Sequence, residues 1–184
     1  MMRRIAFAAA MLSAAAALAA SAAWAHNSPP VVLISERTAV RSLLASADKL
    51  FVREVRLAAG DAPHLFYIGR DRDGKLLGSA VIMTEPTRDG PIRIAVGISP
   101  DGKVKEVQLV QVSEEIYAHM KPLMDRNFTA RYAGLGPGAN SAAAETSAAG
   151  ANAMQQHYED LVSRMVERAL VLYDVSIRKG ASPS

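Results

Sequence analysis

Beyond residue 35 the spacing of apolar positions changes period along the chain. Glu36 to Leu50 carries Val40, Leu43, Leu44 and Ala47 at helical spacing, with Ser35 placed to cap the start. From Phe51 the period drops to two. Phe51 to Leu57 alternates, Leu65 to Gly69 follows, and Leu76 to Thr84, Ile92 to Ile98 and Val104 to Val112 are rich in Val, Ile and Leu. Asp73-Gly74 and Asp101-Gly102 sit between these runs and predict tight hairpins. After Ser113 the helical period returns. Glu114 to Arg131 predicts one or two short helices, with Pro122 starting the second. A long amphipathic helix is expected from Asn152 to about Tyr173, with Met154, Tyr158, Leu161, Val162, Met165, Val166, Ala169, Leu170 and Tyr173 on one stripe. The fold class expected is α+β: a mostly antiparallel sheet of short strands, with an N-terminal helix and the long C-terminal helix packed on it. Residues 36–177 form one domain in this reading, and 178–184 are a disordered tail.

The N-terminus follows a different rule. Met1-Met2-Arg3-Arg4 precedes an uncharged Ala/Leu-rich run, and Ala23-Trp24-Ala25 fits a small-x-small cleavage site. Residues 1–25 are therefore expected to be a signal peptide, cut before His26, with 26–35 as a flexible leader. The expected location is the periplasm, with general or twin-arginine export both open and no transmembrane span after cleavage. Exclusion of this segment changes the charge balance. Of 21 basic residues, Arg3 and Arg4 leave with it, so 19 stand against 18 acidic ones. The net charge falls from +3 to +1, which removes the electrostatic case for nucleic acid. The chain has no cysteine, so disulfides, thiolate metal sites, iron–sulfur clusters and attached c-type haem are excluded.

Other chemistry is sparse. The histidines are His26, His64, His119 and His157. A cleaved N-terminal His26 would offer its amino group and imidazole to copper, but the spacing supplies no further His beside it. His119-Met120 and Met124 fit a short helix with core methionines. Ser141, Thr146 and Ser147 lack the Gly-x-Ser-x-Gly elbow of a hydrolase. No catalytic or metal-ligating residue is assigned.

One stretch is more specific. Gly90-Pro91-Ile92-Arg93-Ile94-Ala95-Val96-Gly97-Ile98-Ser99-Pro100-Asp101-Gly102-Lys103-Val104 resembles the central hairpin of the FMN-binding domain family. That family includes the G subunit of Rnf electron-transport complexes and the C subunit of the sodium-pumping NADH:quinone reductase. Val107 and Val110 match its second strand, Ser113-Glu114 matches the pair that closes it, and Phe128-x-x-x-Tyr132-x-Gly134 resembles its aromatic element. A small-residue tract before a long last helix is also similar.

The family's signature is Ser/Thr-Gly-Ala-Thr at the start of that helix. Small residues there let backbone N–H groups approach the FMN phosphate, and in many members the last Thr is esterified to it. Two alignments stay open. Ser141-Ala142-Ala143-Ala144-Glu145-Thr146-Ser147 keeps the trailing Thr-Ser, with Ala144 at the acceptor position. Ala149-Gly150-Ala151-Asn152 keeps Gly-Ala and places the helix correctly, with Asn152 at the acceptor position. Neither acceptor has a hydroxyl, so the resemblance implies non-covalent FMN, with Ser113, Glu114, Thr146, Ser147, Gly150, Ala151 and Asn152 as cofactor-binding residues. It further implies an electron-transfer flavoprotein serving a redox partner or a membrane electron-transport complex. The alternative is a non-catalytic binding module on the same fold that has lost its flavin site.

Overall fold

The computed structural model describes residues 29–56, 62–139 and 152–178. The expected signal segment, the first residues of the expected leader, Thr146, Ser147, Gly150 and Ala151 lie outside these, as do the residues beyond Arg178.

Six strands form a single antiparallel sheet. They are β1 (Pro30–Val32), β2 (Lys49–Val55), β3 (His64–Arg70), β4 (Leu76–Thr87), β5 (Gly90–Ile98) and β6 (Val104–Ser113). Their order is β1-β6-β5-β4-β3-β2, so β2 to β6 are a meander in which each strand pairs with its neighbour in sequence. The expected pairing of 92–98 with 104–112 is present: Ile94 faces Leu109 and Val96 faces Val107. The Asp101-Gly102 turn joins them, with Gly102 at φ +84°, a conformation glycine adopts without strain.

The sheet is covered on both faces. α1 (Glu36–Leu43) lays Ala39, Val40 and Leu43 on one face, against Ala80, Ala95 and Val110. Its start is capped by Ser35, which accepts a hydrogen bond from the Thr38 N–H at 3.1 Å. α2 (Glu114–Asp125) and α3 (Ala153–Tyr173) cover the other face, where Ile92, Ile94, Val81 and Met83 meet Met120, Val162, Val166 and Leu170. Cover on both sides explains the unbroken apolar run Ala80-Val81-Ile82-Met83 in β4.

The Phe128–Tyr132 segment is a 3₁₀ turn. Its Tyr132 hydroxyl lies 2.9 Å from Ser163 Oγ on α3, and Gly134 N–H donates to Val104 O at 2.8 Å. The aromatic element thus bolts the turn to both α3 and β6. Arg131 reaches Glu159, which is buried, at 3.6 Å.

Three expectations are corrected. Part of the leader is a strand: Pro30–Val32 pairs with Gln111–Ser113 of β6. Proline is tolerated there because it opens an edge strand. α1 ends at Leu43, not Leu50. The apolar spacing persists because Leu44 and Ala47 still pack on the sheet while the chain turns, close over Gly69. Pro122 starts no helix and lies inside α2. Its ring removes the N–H that would bond Ala118, but the buried stripe Ile116, Met120 and Leu123 runs across it and holds the helix down.

Candidate functional site

Of the residues that the resemblance implies, Ser113, Glu114 and Asn152 are described, and they lie where two helix N-termini approach the β4–β5 turn. The turn is tight. Thr87 Oγ1 donates to Gly90 O at 2.7 Å and accepts from Asp89 N–H at 3.1 Å. Gly90 sits at φ +113°, and a Cβ there would stand 2.7 Å from Ser113 Cβ. Only glycine admits so close an approach of β6.

Ser113 is the joint between turn and helix. Its buried hydroxyl donates to Asp89 O at 2.5 Å and accepts from Ile116 N–H at 3.2 Å, which makes it the N-cap of α2. Glu114 and Glu115 follow in the first turn and offset the positive end of that helix. Glu114 N–H donates to Pro29 O at 3.1 Å, so its backbone is engaged by the segment before β1.

Asn152 is the N-cap of α3. Its Oδ1 accepts from Gln155 N–H at 2.9 Å, and Gln155 Oε1 accepts from Asn152 N–H at 3.1 Å. This capping box satisfies two of the donors that an uncapped helix end offers, and leaves the N–H groups of Ala153 and Met154 without an acceptor among the described residues. No acidic residue lies in the first turn of α3, so its positive end is not offset from within the helix. The donor set fits a phosphate in part: two backbone N–H groups and the Asn152 Nδ2 amide remain.

The link between the two helix ends is Tyr158, which sequence reasoning assigned only to the core stripe. It is fully buried, and its hydroxyl donates to Asp89 Oδ2 at 2.9 Å. Burial pushes the phenol well above its usual range, and the hydrogen bond to Asp89 and the charges of Asp89 and Glu115 push it further. The His119 and His157 rings lie 6.2 and 5.4 Å from the Tyr158 ring. The structure thus brings Ser113 and Glu114 to the same end of the sheet as the start of α3, through Asp89 and Tyr158. Asp89 precedes Gly90 in the turn between β4 and β5. Its pairing with Tyr158, 69 residues away, has no local signal.

Two grooves lie elsewhere. One, of about 310 Å³, is lined by residues of β6, the α2 end and the 3₁₀ turn, including Val107, Leu109, Met124 and Phe128. The other, of about 440 Å³, runs between α1 and the β2–β3 pair, past Val40, Leu50 and Tyr67. Of the residues assigned to the flavin, the described ones, Ser113, Glu114 and Asn152, line neither groove. Among the described residues, no group of three or more His, Asp or Glu side chains is placed to hold a metal ion. No helix among them is long and apolar enough to cross a membrane. Comparison with protein-family models and with curated proteins finds no match to this chain.

Proposed function

We propose that the protein is an exported flavodomain that binds FMN without a covalent bond and relays electrons to a redox partner. The observation that carries this reading is the start of α3. It has two backbone donors without an acceptor among the described residues, an amide at the cap and no acidic residue in its first turn, and it stands beside the β4–β5 turn, which Tyr158 ties to α3. A phosphate dianion is favoured by such a helix end. The antiparallel hairpin, the bolted aromatic turn and the long last helix occur in the order that the family resemblance implies.

The roles of the chain's own residues follow. Ala153 and Met154 N–H and the Asn152 amide would donate to phosphate oxygens. Ser113 would hold the β6–α2 corner rigid through Asp89 rather than contact the phosphate. Thr146, Ser147, Gly150 and Ala151 precede the helix in sequence and retain their assignment as further binding residues. The cofactor would supply reversible electron transfer; the protein supplies binding and electrostatics. No ester bond is expected, since Ala144 and Asn152 have no hydroxyl.

A specific observation favours the second reading, a module without flavin. The capping box takes two donors at the helix end for itself. One experiment separates the two readings. Protein from the periplasm, reconstituted with excess FMN and desalted, is precipitated with trichloroacetic acid. Flavin in the supernatant supports non-covalent binding. Flavin on the pellet would reveal an acceptor hydroxyl such as Thr146 or Ser147. Flavin in neither fraction leaves the binding-module reading.

A further inference from the structure

The two edges of the sheet are treated differently. The β6 edge is blunted. β1 covers one end with three residues and opens on Pro30, while Gly134 and Leu135 bond Val104 at the other end. Among the described residues, the β2 edge has no such cover. It is last in the sheet order and pairs through seven continuous positions with β3 alone. It contains no proline, glycine or bulge. It also exposes three consecutive large apolar residues: Leu50 at 48%, Phe51 at 50% and Val52 at 60%. Such an edge is a template for another strand.

We infer that β2 is a self-pairing edge, through which two copies join antiparallel, β2 on β2, into one continuous sheet centred on Val52. The charges select this occupant and this register. A two-fold axis through the sheet keeps like faces together, so residues opposite each other must have the same parity and the centre falls on a residue. Centring on Phe51 sets Lys49 against Arg53 twice. Centring on Arg53 or Glu54 sets that residue against its own copy. Centring on Leu50 overlaps only the first few residues of the strand. Like charges directly opposite destabilise a pair.

Centring on Val52 overlaps the full strand and opposes no like charges. Val52 meets the partner's Val52, Phe51 meets the partner's Arg53 in cation–π range, and Lys49 meets the partner's Val55. Leu50 meets the partner's Glu54. Leu50 also lines the groove between α1 and β2–β3, where Arg37 and Arg41 stand beside Glu36, whose carboxylate is paired with Arg93, so the partner's carboxylate arrives at a rim with two arginines and one already paired acid. The exposed apolar run is covered in the same step.

The absence of natural cysteine makes the register directly testable on the exported full-length chain. Light scattering behind size exclusion should give twice the monomer mass as concentration rises. Val52→Cys should form an intermolecular disulfide on mild oxidation. Leu50→Cys, comparably exposed, should not: in this register its own copy lies four residues further along, about 14 Å away. Val52→Lys should raise the dimer dissociation constant by about a hundredfold, through like charge at the two-fold. Its melting temperature at monomeric concentration should be unchanged, and mixing it with Val52→Glu should restore the dimer mass. A wild-type chain that stays monomeric at every concentration overturns the proposal. So does a Val52→Lys variant that still dimerises, or equal cross-linking from Leu50→Cys and Val52→Cys.

Discussion

Tyr158 fastens the long helix to the β4–β5 turn, and its environment makes that contact pH-dependent. Burial and Asp89 hold the phenol protonated in the fold, well above the value of about 10 at which it ionises in the unfolded chain. Below pH 10 both states keep the proton and the contact contributes fully. Above it the unfolded chain ionises first, so stability falls as pH rises. Tyr173, raised chiefly by burial, acts in the same direction. Tyr158→Phe should lose about 1 kcal/mol at neutral pH, the net worth of one hydrogen bond. Its deficit against wild type should be constant from pH 6 to 9 and narrow above 10, as read from urea midpoints. Gly90→Ala acts on the other side of the same joint. The added methyl meets Ser113 Cβ at 2.7 Å on a backbone at φ +113°. A loss of roughly 1–3 kcal/mol is expected from the conformation alone, and thermal unfolding measures it.

At the scale of elements, the cap of α3 separates stability from binding. Asn152→Ala removes the acceptor for Gln155 N–H and should cost about 1 kcal/mol. Asn152→Asp keeps that acceptor and adds favourable charge for the helix dipole, so the melting temperature should hold or rise. The same carboxylate would repel a phosphate. Under the flavin reading, Asn152→Asp should therefore weaken FMN by about tenfold or more by fluorescence titration while the fold is unharmed. Equal FMN affinity in both proteins would remove the phosphate from this helix end. Much of the element order was legible in the sequence. Asp73-Gly74 and Asp101-Gly102 placed turns at left-handed glycines, and the apolar stripe gave α3 with its Asn152 cap, buried from Tyr158 to Tyr173 while Met154, expected on the stripe, is exposed. β1 was not legible, because three residues beginning at proline make no periodic signal and the strand exists only through β6. α2 was misread at Pro122, since the local cost of proline was outweighed by packing that the local pattern does not price. At the candidate site, Asn152 could be read as a helix cap because capping chemistry is local, whereas Ser113 was singled out only by the family resemblance and its capping of α2 emerges from the fold. Asp89 and Tyr158 meet only in the folded molecule.

For the whole molecule, the two covering layers are unequal. α3 buries Tyr158, Leu161, Val162, Met165, Val166, Ala169, Leu170, Leu172 and Tyr173, whereas α1 buries Ala39, Val40 and Leu43. A buried large apolar side chain is worth about 1.5–3 kcal/mol, so the gross burial of the α3 layer is at least as large as the roughly 5–15 kcal/mol of net stability of a typical domain. A chain ending before Asn152 would expose Phe66, Val81, Met83 and Ile94 on the bare face of the sheet. It should not fold: its near-ultraviolet circular dichroism should be flat, and it should bind a hydrophobic dye or aggregate. Leu43→Ala tests the thinner layer. Leu43 packs directly over Gly97, where a Cβ would stand 2.9 Å from its Cδ2. Its truncation leaves a cavity between α1 and β5, at a cost of about 2–5 kcal/mol. That loss is large but within what a domain of this size tolerates, so Leu43→Ala should fold with a lowered urea midpoint and an unchanged slope. A folded chain lacking α3, or an unfolded Leu43→Ala variant, would reverse the order of the two layers.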